Sequence, residues 1–147
     1  MKTRALVMAG MMALTAMATT RVAQAQQEVA VNIPFDFVAG NTQLPAGEYT
    51  VKVSVPTHAL ILISRKDATM SAFINTNAAV SSAPQTESKL IFNRYGDRYF
   101  LSQVWQQGYT QGRQLLKSSR EKEVALTANI QTQGQVVLVA GLATTNR

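Results

Sequence analysis

Residues 89–105 read KLIFNRYGDRYFLSQVW, and this stretch predicts a β-hairpin. Strand-forming residues flank Gly96-Asp97, and glycine at the first position of a two-residue loop gives a turn that matches the twist of paired strands. A slip of one residue would turn every side chain to the opposite face, so the pairing is a specific prediction. The predicted cross-strand pairs are Phe92 with Leu101, Asn93 with Phe100, and Arg94 with Tyr99.

The chain before the hairpin consists of short apolar segments separated by turns. Residues 29–37 predict an edge strand, because Pro34 interrupts their alternation and cannot donate to a ladder. Residues 48–54 alternate between apolar and polar side chains, which predicts a strand with one solvated face. Residues 59–63 (ALILI) do not alternate, which predicts a strand covered on both faces.

The segments on either side of the hairpin combine one strand with two loops. Residues 70–75 predict a strand that places Phe73 and Ile74 on opposite faces. The segment 76–87 is small, polar and contains a proline, so it predicts a loop with room for one strand end. Residues 106–112 are rich in Gln and Gly and also predict a loop.

The C-terminal part adds one helix and one strand. Ser118 and Glu121 have the spacing of a capping box, and apolar residues follow at helical intervals, which predicts a short helix. Residues 136–140 (VVLVA) predict a final buried strand. The whole pattern predicts an all-β domain, a small sandwich or a partly open barrel of about seven or eight short antiparallel strands with one short C-terminal helix.

The first 25 residues have the three parts of a secretory signal peptide. Basic residues give a positive start, the apolar segment 5–18 follows, and Ala23-Gln24-Ala25 supplies small residues at the positions that a signal peptidase reads. We therefore predict cleavage after Ala25 and a single exported domain over residues 26–147, in the periplasm or outside the cell. The apolar segment is shorter than the roughly 20 residues that cross a bilayer, so no transmembrane span is expected after cleavage.

The charge of the chain indicates little about its partner. The formal charge is +6, from 14 basic and 8 acidic residues. Cleavage after Ala25 removes three basic residues and no acid, which leaves 11 minus 8, or +3. We interpret this remainder as ordinary solubility charge. The predicted partner is therefore an envelope or extracellular molecule of unknown identity and not nucleic acid, and the oligomeric state stays open.

The residue types restrict the possible chemistry. The chain has no Cys and one His, His58, which excludes disulfides, thiolate zinc sites and any metal site with two imidazoles. No adjacent nucleophile or orienting carboxylate supports His58 as a general base, so a surface turn is expected for it. Asp36 and Glu48 could meet across paired strands, but neither is marked as the buried acid that a glycosidase requires. We predict no enzyme activity, no cofactor and no metal.

The hairpin supplies the candidate interaction surface. Arginine and large aromatic residues are the types that anchor interfaces and stack on sugars or peptides. Arg94 opposite Tyr99 could form a cation–π pair. In the alternative interpretation, Tyr99 and Trp105 cover an edge of the core while the arginines solvate the turn. The candidate surface consists of Arg94, Tyr95, Arg98, Tyr99 and Trp105.

Two motifs of the chain stand out together. The first is residues 33–40 (IPFDFVAG) followed by residues 44–51 (LPAGEYTV), and the second is residues 92–105 (FNRYGDRYFLSQVW). With these motifs the chain resembles a family of small exported bacterial proteins with no assigned function. The resemblance extends from about Val31 to Glu123. It implies an exported, mostly β single domain, and it brings no catalytic residues.

These observations lead to two function hypotheses. The first is a non-enzymatic exported β-domain that binds a partner, with the hairpin as its contact surface. The second is a small periplasmic carrier that holds an apolar ligand inside the β-domain, because apolar residues can line a cavity as well as fill a core. A filled interior with exposed aromatic surface favours the first hypothesis, and an open apolar cavity favours the second.

Overall fold

The computed structural model describes residues 28–53, 59–128 and 133–140. The predicted signal peptide (residues 1–25) and His58 lie outside these ranges. The described residues form ten strands and one helix: β1 (Glu28–Ile33), β2 (Phe37–Ala39), β3 (Thr42–Leu44), β4 (Gly47–Val53), β5 (Leu60–Arg65), β6 (Ser71–Val80), β7 (Lys89–Tyr95), β8 (Arg98–Trp105), β9 (Gln111–Leu115), α1 (Ser119–Thr127) and β10 (Gln133–Val139).

The ten strands belong to one open sheet. Its main path runs β1-β4-β5-β6-β9-β8-β2-β3, while β7 pairs with β8 and with β10. The pairs are antiparallel except for β2 and β8, which run parallel where Val38 pairs with Phe100. The sheet curls until Cα atoms of β1 and β10 lie within 8 Å, yet no ladder joins these two strands over their described residues. The predicted all-β fold with one short helix is confirmed, and the sheet does not close into a barrel.

The structure has more strands than the sequence pattern predicts, and one pair is parallel. β2 and β3 form a short hairpin around Gly40, whose φ of +61° suits glycine. β6 continues to Val80, through part of a segment predicted as a loop, and pairs there with β9. β9 reads QGRQL and has no strand pattern of its own. β9 is extended because both β6 and β8 pair with it. These tertiary contacts outweigh the low β-propensity of its own residues.

The central hairpin has the predicted register. The turn residue Gly96 has a φ of +63°, in the left-handed region that glycine adopts readily. A β-bulge leaves Ser102 without a partner on β7, and as a result both Leu101 and Val104 face the core. The observed cross-strand pairs include Phe92 with Leu101, Asn93 with Phe100, and Arg94 with Tyr99.

The inner face of the sheet carries one hydrophobic core. Phe92 is fully buried and forms edge-to-face contacts with Phe35 and Phe37, with ring centroids 5.1 and 5.5 Å apart. Phe37 makes a similar contact with Tyr49 at 5.2 Å, and the Tyr49 hydroxyl donates to the carbonyl of Pro45 at 2.7 Å. Every strand contributes a side chain to this cluster or packs against it. The interior of the curled sheet is therefore filled by the chain itself.

Only one face of β5 is buried, although its sequence predicts burial of both faces. Ile61 and Ile63 are fully buried in the core, but Leu60 and Leu62 on the other face are only half-buried. The helix packs elsewhere on the sheet, so the described residues leave the outer face of β5 bordering solvent. The apolar run was correctly identified as a strand, and the prediction of its surroundings was wrong.

Helix α1 lies on the outer side of β2, β7 and β8. Its predicted cap is confirmed, because the Ser118 hydroxyl accepts a hydrogen bond from the Glu121 amide at 3.1 Å. The buried Glu121 carboxylate turns to the sheet, where Oε1 accepts from Asn93 Nδ2 at 2.9 Å and from the Tyr95 hydroxyl at 3.2 Å. Small apolar contacts complete the packing: Val124, Ala125 and Ala128 contact the cluster of Val38, Tyr95 and Phe100.

Gly112 on β9 is required by the packing of the neighbouring strand. A Cβ there would lie 2.6 Å from ring atoms of Trp105 and 2.8 Å from the carbonyl oxygen of Val104. We expect Gly112→Ala to lower the free energy of unfolding by about 1–3 kcal/mol, because the ring or the strand must shift. Gly134→Ala is the control, since a Cβ at Gly134 meets nothing within 4 Å. Urea unfolding followed by circular dichroism compares the two variants, and equal midpoints would contradict this account.

Candidate functional site

The structure separates the five residues of the candidate interaction surface. Arg94 and Arg98, beside the hairpin turn, are exposed. Tyr95 and Trp105 are only 8% and 7% exposed, and Tyr99 is half-buried. Three of the five side chains therefore contribute to packing, in line with the alternative interpretation, and the two arginines remain accessible.

Trp105 is integrated into the sheet. Its ring packs against Gly112 of β9, and the indole Nε1 donates to Gln103 Oε1 at 2.8 Å. Val104 faces the core, so the alternation along β8 places Trp105 on the outer face, above the contact with β9. A ring that is 7% exposed offers little area to a partner.

The two hairpin tyrosines are held by different neighbours. The Tyr95 hydroxyl bonds Glu121 beneath α1, and burial raises the pKa of Tyr95, with a further increase from the charge and the hydrogen bond of Glu121. The Tyr99 ring stacks on Phe35, with centroids 3.9 Å apart and planes inclined by 15°. These contacts direct one tyrosine to the helix and the other to the edge of the core.

The hairpin arginines border a cleft of mixed charge. Arg94 Nε donates to the carbonyl of Gly96 at 2.9 Å, which ties it to the turn. Arg98 lines a cleft of about 260 Å³ together with Arg120 of α1, whose Nη1 lies 3.5 Å from Gln43 Oε1. Asp36 and Asp97 line the same cleft. Because both signs of charge are present, the cleft favours neither an anionic nor a cationic ligand.

An exposed apolar surface lies on the outer face of β5 and β6 and beside the end of β9, and we name Leu62, Phe73 and Leu116 the outer patch. Phe73 is 70% exposed and stands directly across the ladder from Leu62. Leu116 is 59% exposed and lines the same cleft as Phe73, with a volume of about 370 Å³. The sequence contained two signals of this surface, the apolar run of β5 and the opposite facing of Phe73 and Ile74. Neither signal revealed that the face lacks cover.

The acidic residues considered for catalysis have local partners. Glu48 forms an ion pair with Lys66, and Asp36 Oδ1 accepts from the Ala46 amide at 2.9 Å. Over the described ranges, no group of three His, Asp or Glu side chains is placed to hold a metal ion. Asp36 thus stabilises the turn before β4, and Glu48 contributes a solvent-exposed pair to the neighbouring loop.

The described part of the chain contains no helix with the length and apolar character needed to span a membrane. Comparison with family models, with curated proteins and with solved structures found no match for this chain. The resemblance carried by the two sequence motifs therefore stays a prediction.

Proposed function

We propose that this chain is a non-enzymatic exported β-domain that binds an envelope or extracellular partner through the outer patch, after removal of residues 1–25. One observation carries the proposal: Phe73 is 70% exposed on a regular strand, while its neighbour Ile74 on the inner face is 7% exposed. The fold therefore uses one face of β6 for its core and leaves a large aromatic side chain on the other.

The exposure of the outer patch has an energetic consequence. Burying a Phe or Leu side chain contributes about 1.5–3 kcal/mol, and folding of the chain alone obtains little of this from Phe73. Leu62 and Leu116 flank the ring, so a partner that covers Phe73 also removes apolar neighbours from water. A central aromatic anchor with surrounding apolar contacts is the usual arrangement of binding energy at protein interfaces.

The filled interior supports this proposal over the carrier hypothesis. The aromatic residues that could have lined a cavity contact one another, as Phe92 does with Phe37 and Phe37 with Tyr49. An apolar ligand inside the curled sheet would have to displace these rings from close-packed positions, which costs several kcal/mol of packing. The outer face requires no such displacement.

The exposed arginines of the hairpin fit the rim of the same contact surface. Thr42 lines the cleft beside Phe73, and the adjacent Gln43 lines the cleft that contains Arg98 and Arg120. The two clefts therefore flank the β2–β3 hairpin, so a partner seated on Phe73 can also reach Arg98. Rim charges affect the association rate and orientation more than the affinity. We assign the affinity to the outer patch and the orientation to the arginines.

Native mass spectrometry tests the proposal on protein expressed from the full sequence and recovered from the envelope fraction. We expect the mass of residues 26–147 with a partner bound at fixed stoichiometry. Phe73→Ser should weaken that complex by about thirtyfold or more, because loss of a central aromatic anchor costs about 2 kcal/mol of binding free energy.

Leu126→Ser is the matched control for this experiment. Leu126 is 87% exposed on α1 and does not line the cleft beside Phe73. Both variants should unfold at the wild-type temperature, because both side chains are exposed. Survival of the complex in Phe73→Ser, or its loss in both variants, would refute the proposal. A retained lipid in place of a protein or glycan partner would favour the carrier hypothesis.

A further inference from the structure

Arg113 of β9 reaches the inner side of the sheet. Its Nε donates to Thr76 Oγ1 at 3.0 Å and its Nη2 to the Thr76 carbonyl at 3.4 Å. Thr76 is 4% exposed and follows Ala72 and Ile74 on the face of β6 that forms the core. Arg113 is also paired across the ladder with Val104, a core residue. The guanidinium therefore lies at the open end of the filled interior, beside apolar side chains.

The Arg113 guanidinium forms no ion pair with any Asp or Glu residue of the chain. All eight Asp and Glu residues fall within the described ranges, and the ion pairs found there join Lys52, Arg65 and Lys66 to acids, not Arg113. Burial lowers the pKa of Arg113 from its usual value, as expected for a partly desolvated cation. The Arg113 guanidinium has five N–H groups, and two of them donate to Thr76. Three N–H groups therefore remain for another acceptor.

A small cleft opens next to Arg113. It has a volume of about 230 Å³, and its apolar wall is formed by Val53, Val104 and the ring of Tyr109. Gln106 and Gln111 add amide groups at its border. A water molecule occupies about 30 Å³ in the liquid, so the cleft accommodates about seven or eight non-hydrogen atoms.

We infer that this cleft binds a small organic carboxylate, with the carboxylate on Arg113 and a short apolar tail along Val53, Val104 and Tyr109. The inference is independent of the outer patch, which lies on the opposite face of β6. A guanidinium recognises a carboxylate through charge-assisted hydrogen bonds, and these are strong where the cation is partly removed from water. The apolar wall favours a tail of a few carbons, which is the length that matches the volume of the cleft.

Isothermal titration calorimetry of the wild-type protein with hexanoate tests the inference. Calorimetry is used because Trp105, the single tryptophan, lies on the outer face of the sheet and does not line the cleft. We expect saturable binding of hexanoate and at least about tenfold weaker binding of 1-hexanol, which keeps the tail and lacks the charge. Acetate, which keeps the charge and lacks the tail, should also bind at least about tenfold more weakly.

Two variants locate the site. Arg113→Gln should weaken hexanoate binding at least about tenfold, whereas Arg94→Gln, at the exposed hairpin, should not change it. Gln111→Glu keeps Arg113 and places a competing carboxylate in the cleft, so it should also weaken hexanoate binding, even if Arg113→Gln fails to fold. Equal binding of hexanoate and 1-hexanol, unchanged binding in Gln111→Glu, or no saturable binding by the wild type would each overturn the inference.

Discussion

Replacing Trp105 with alanine is expected to lower the free energy of unfolding by about 3–5 kcal/mol, the range for truncation of a large buried aromatic side chain. The ring is 7% exposed, covers Gly112 on the next strand and donates to Gln103. Its loss leaves a cavity over the contact between β8 and β9 and removes the partner of an amide oxygen. Guanidinium unfolding followed by circular dichroism measures the change without relying on tryptophan fluorescence.

Trp105→Phe separates the packing of the ring from its hydrogen bond. This variant keeps much of the aromatic area over Gly112 and loses the N–H group, so it should cost about 1 kcal/mol. An unchanged midpoint for Trp105→Ala would contradict the structure here and would return Trp105 to the interaction surface predicted from the sequence.

Replacing Phe92 with alanine should have an effect of similar size. Phe92 is fully buried, and its ring contacts Phe35 and Phe37 edge to face. We expect a loss of about 3–5 kcal/mol, from the removed apolar area and the cavity that remains. Such a loss is a large part of the total stability of a domain of this size, so the variant should unfold at a clearly lower temperature than the wild type.

Phe73→Ala is the matched control for Phe92→Ala, because the same side chain is removed from the other face of the sheet. Phe73 is 70% exposed, so its replacement should change the free energy of unfolding by no more than about 0.5 kcal/mol. The same chemical denaturation experiment compares the two. Equal losses would show that the outer face of β6 is covered and would remove the basis for the outer patch.

The hairpin could be predicted because the residues that determine its structure lie close together in the sequence. Gly96 and Asp97 form the turn. The geometry of this turn determines which residue of β7 pairs with which residue of β8. The cap of α1 was predictable for the same reason, since Ser118 and the amide of Glu121 are three residues apart. In both cases the contacts that determine the structure lie within a few positions of one another.

The departures from prediction involve contacts between distant segments. β9 has a polar sequence and is extended only because β6 and β8 pair with it. The side chain of Glu121 was expected to complete a capping box, yet it binds Asn93 and Tyr95 across the sheet. Each of these outcomes depends on which elements become neighbours in space, and no short stretch of sequence contains that information.

The candidate site was also only partly predictable, because it depends on contacts between distant segments. Arginine and aromatic residues concentrate near the hairpin, which made it the expected contact surface, but Tyr95 and Trp105 are needed by α1 and β9. The outer patch could not be predicted from the sequence. An apolar residue such as Phe73 has the same sequence pattern whether or not another element covers its side chain. Within the described residues, α1 packs against β2, β7 and β8 and leaves Phe73 exposed.

Photo-crosslinking from position 73 in intact cells tests whether the outer patch binds a partner. A benzophenone amino acid in place of Phe73 places the reactive group in the middle of the outer patch, and the same amino acid in place of Leu126 serves as the exposed control. We expect one adduct of defined mass from position 73 and none from position 126. Absence of an adduct from position 73, or the same adducts from both positions, would contradict this expectation.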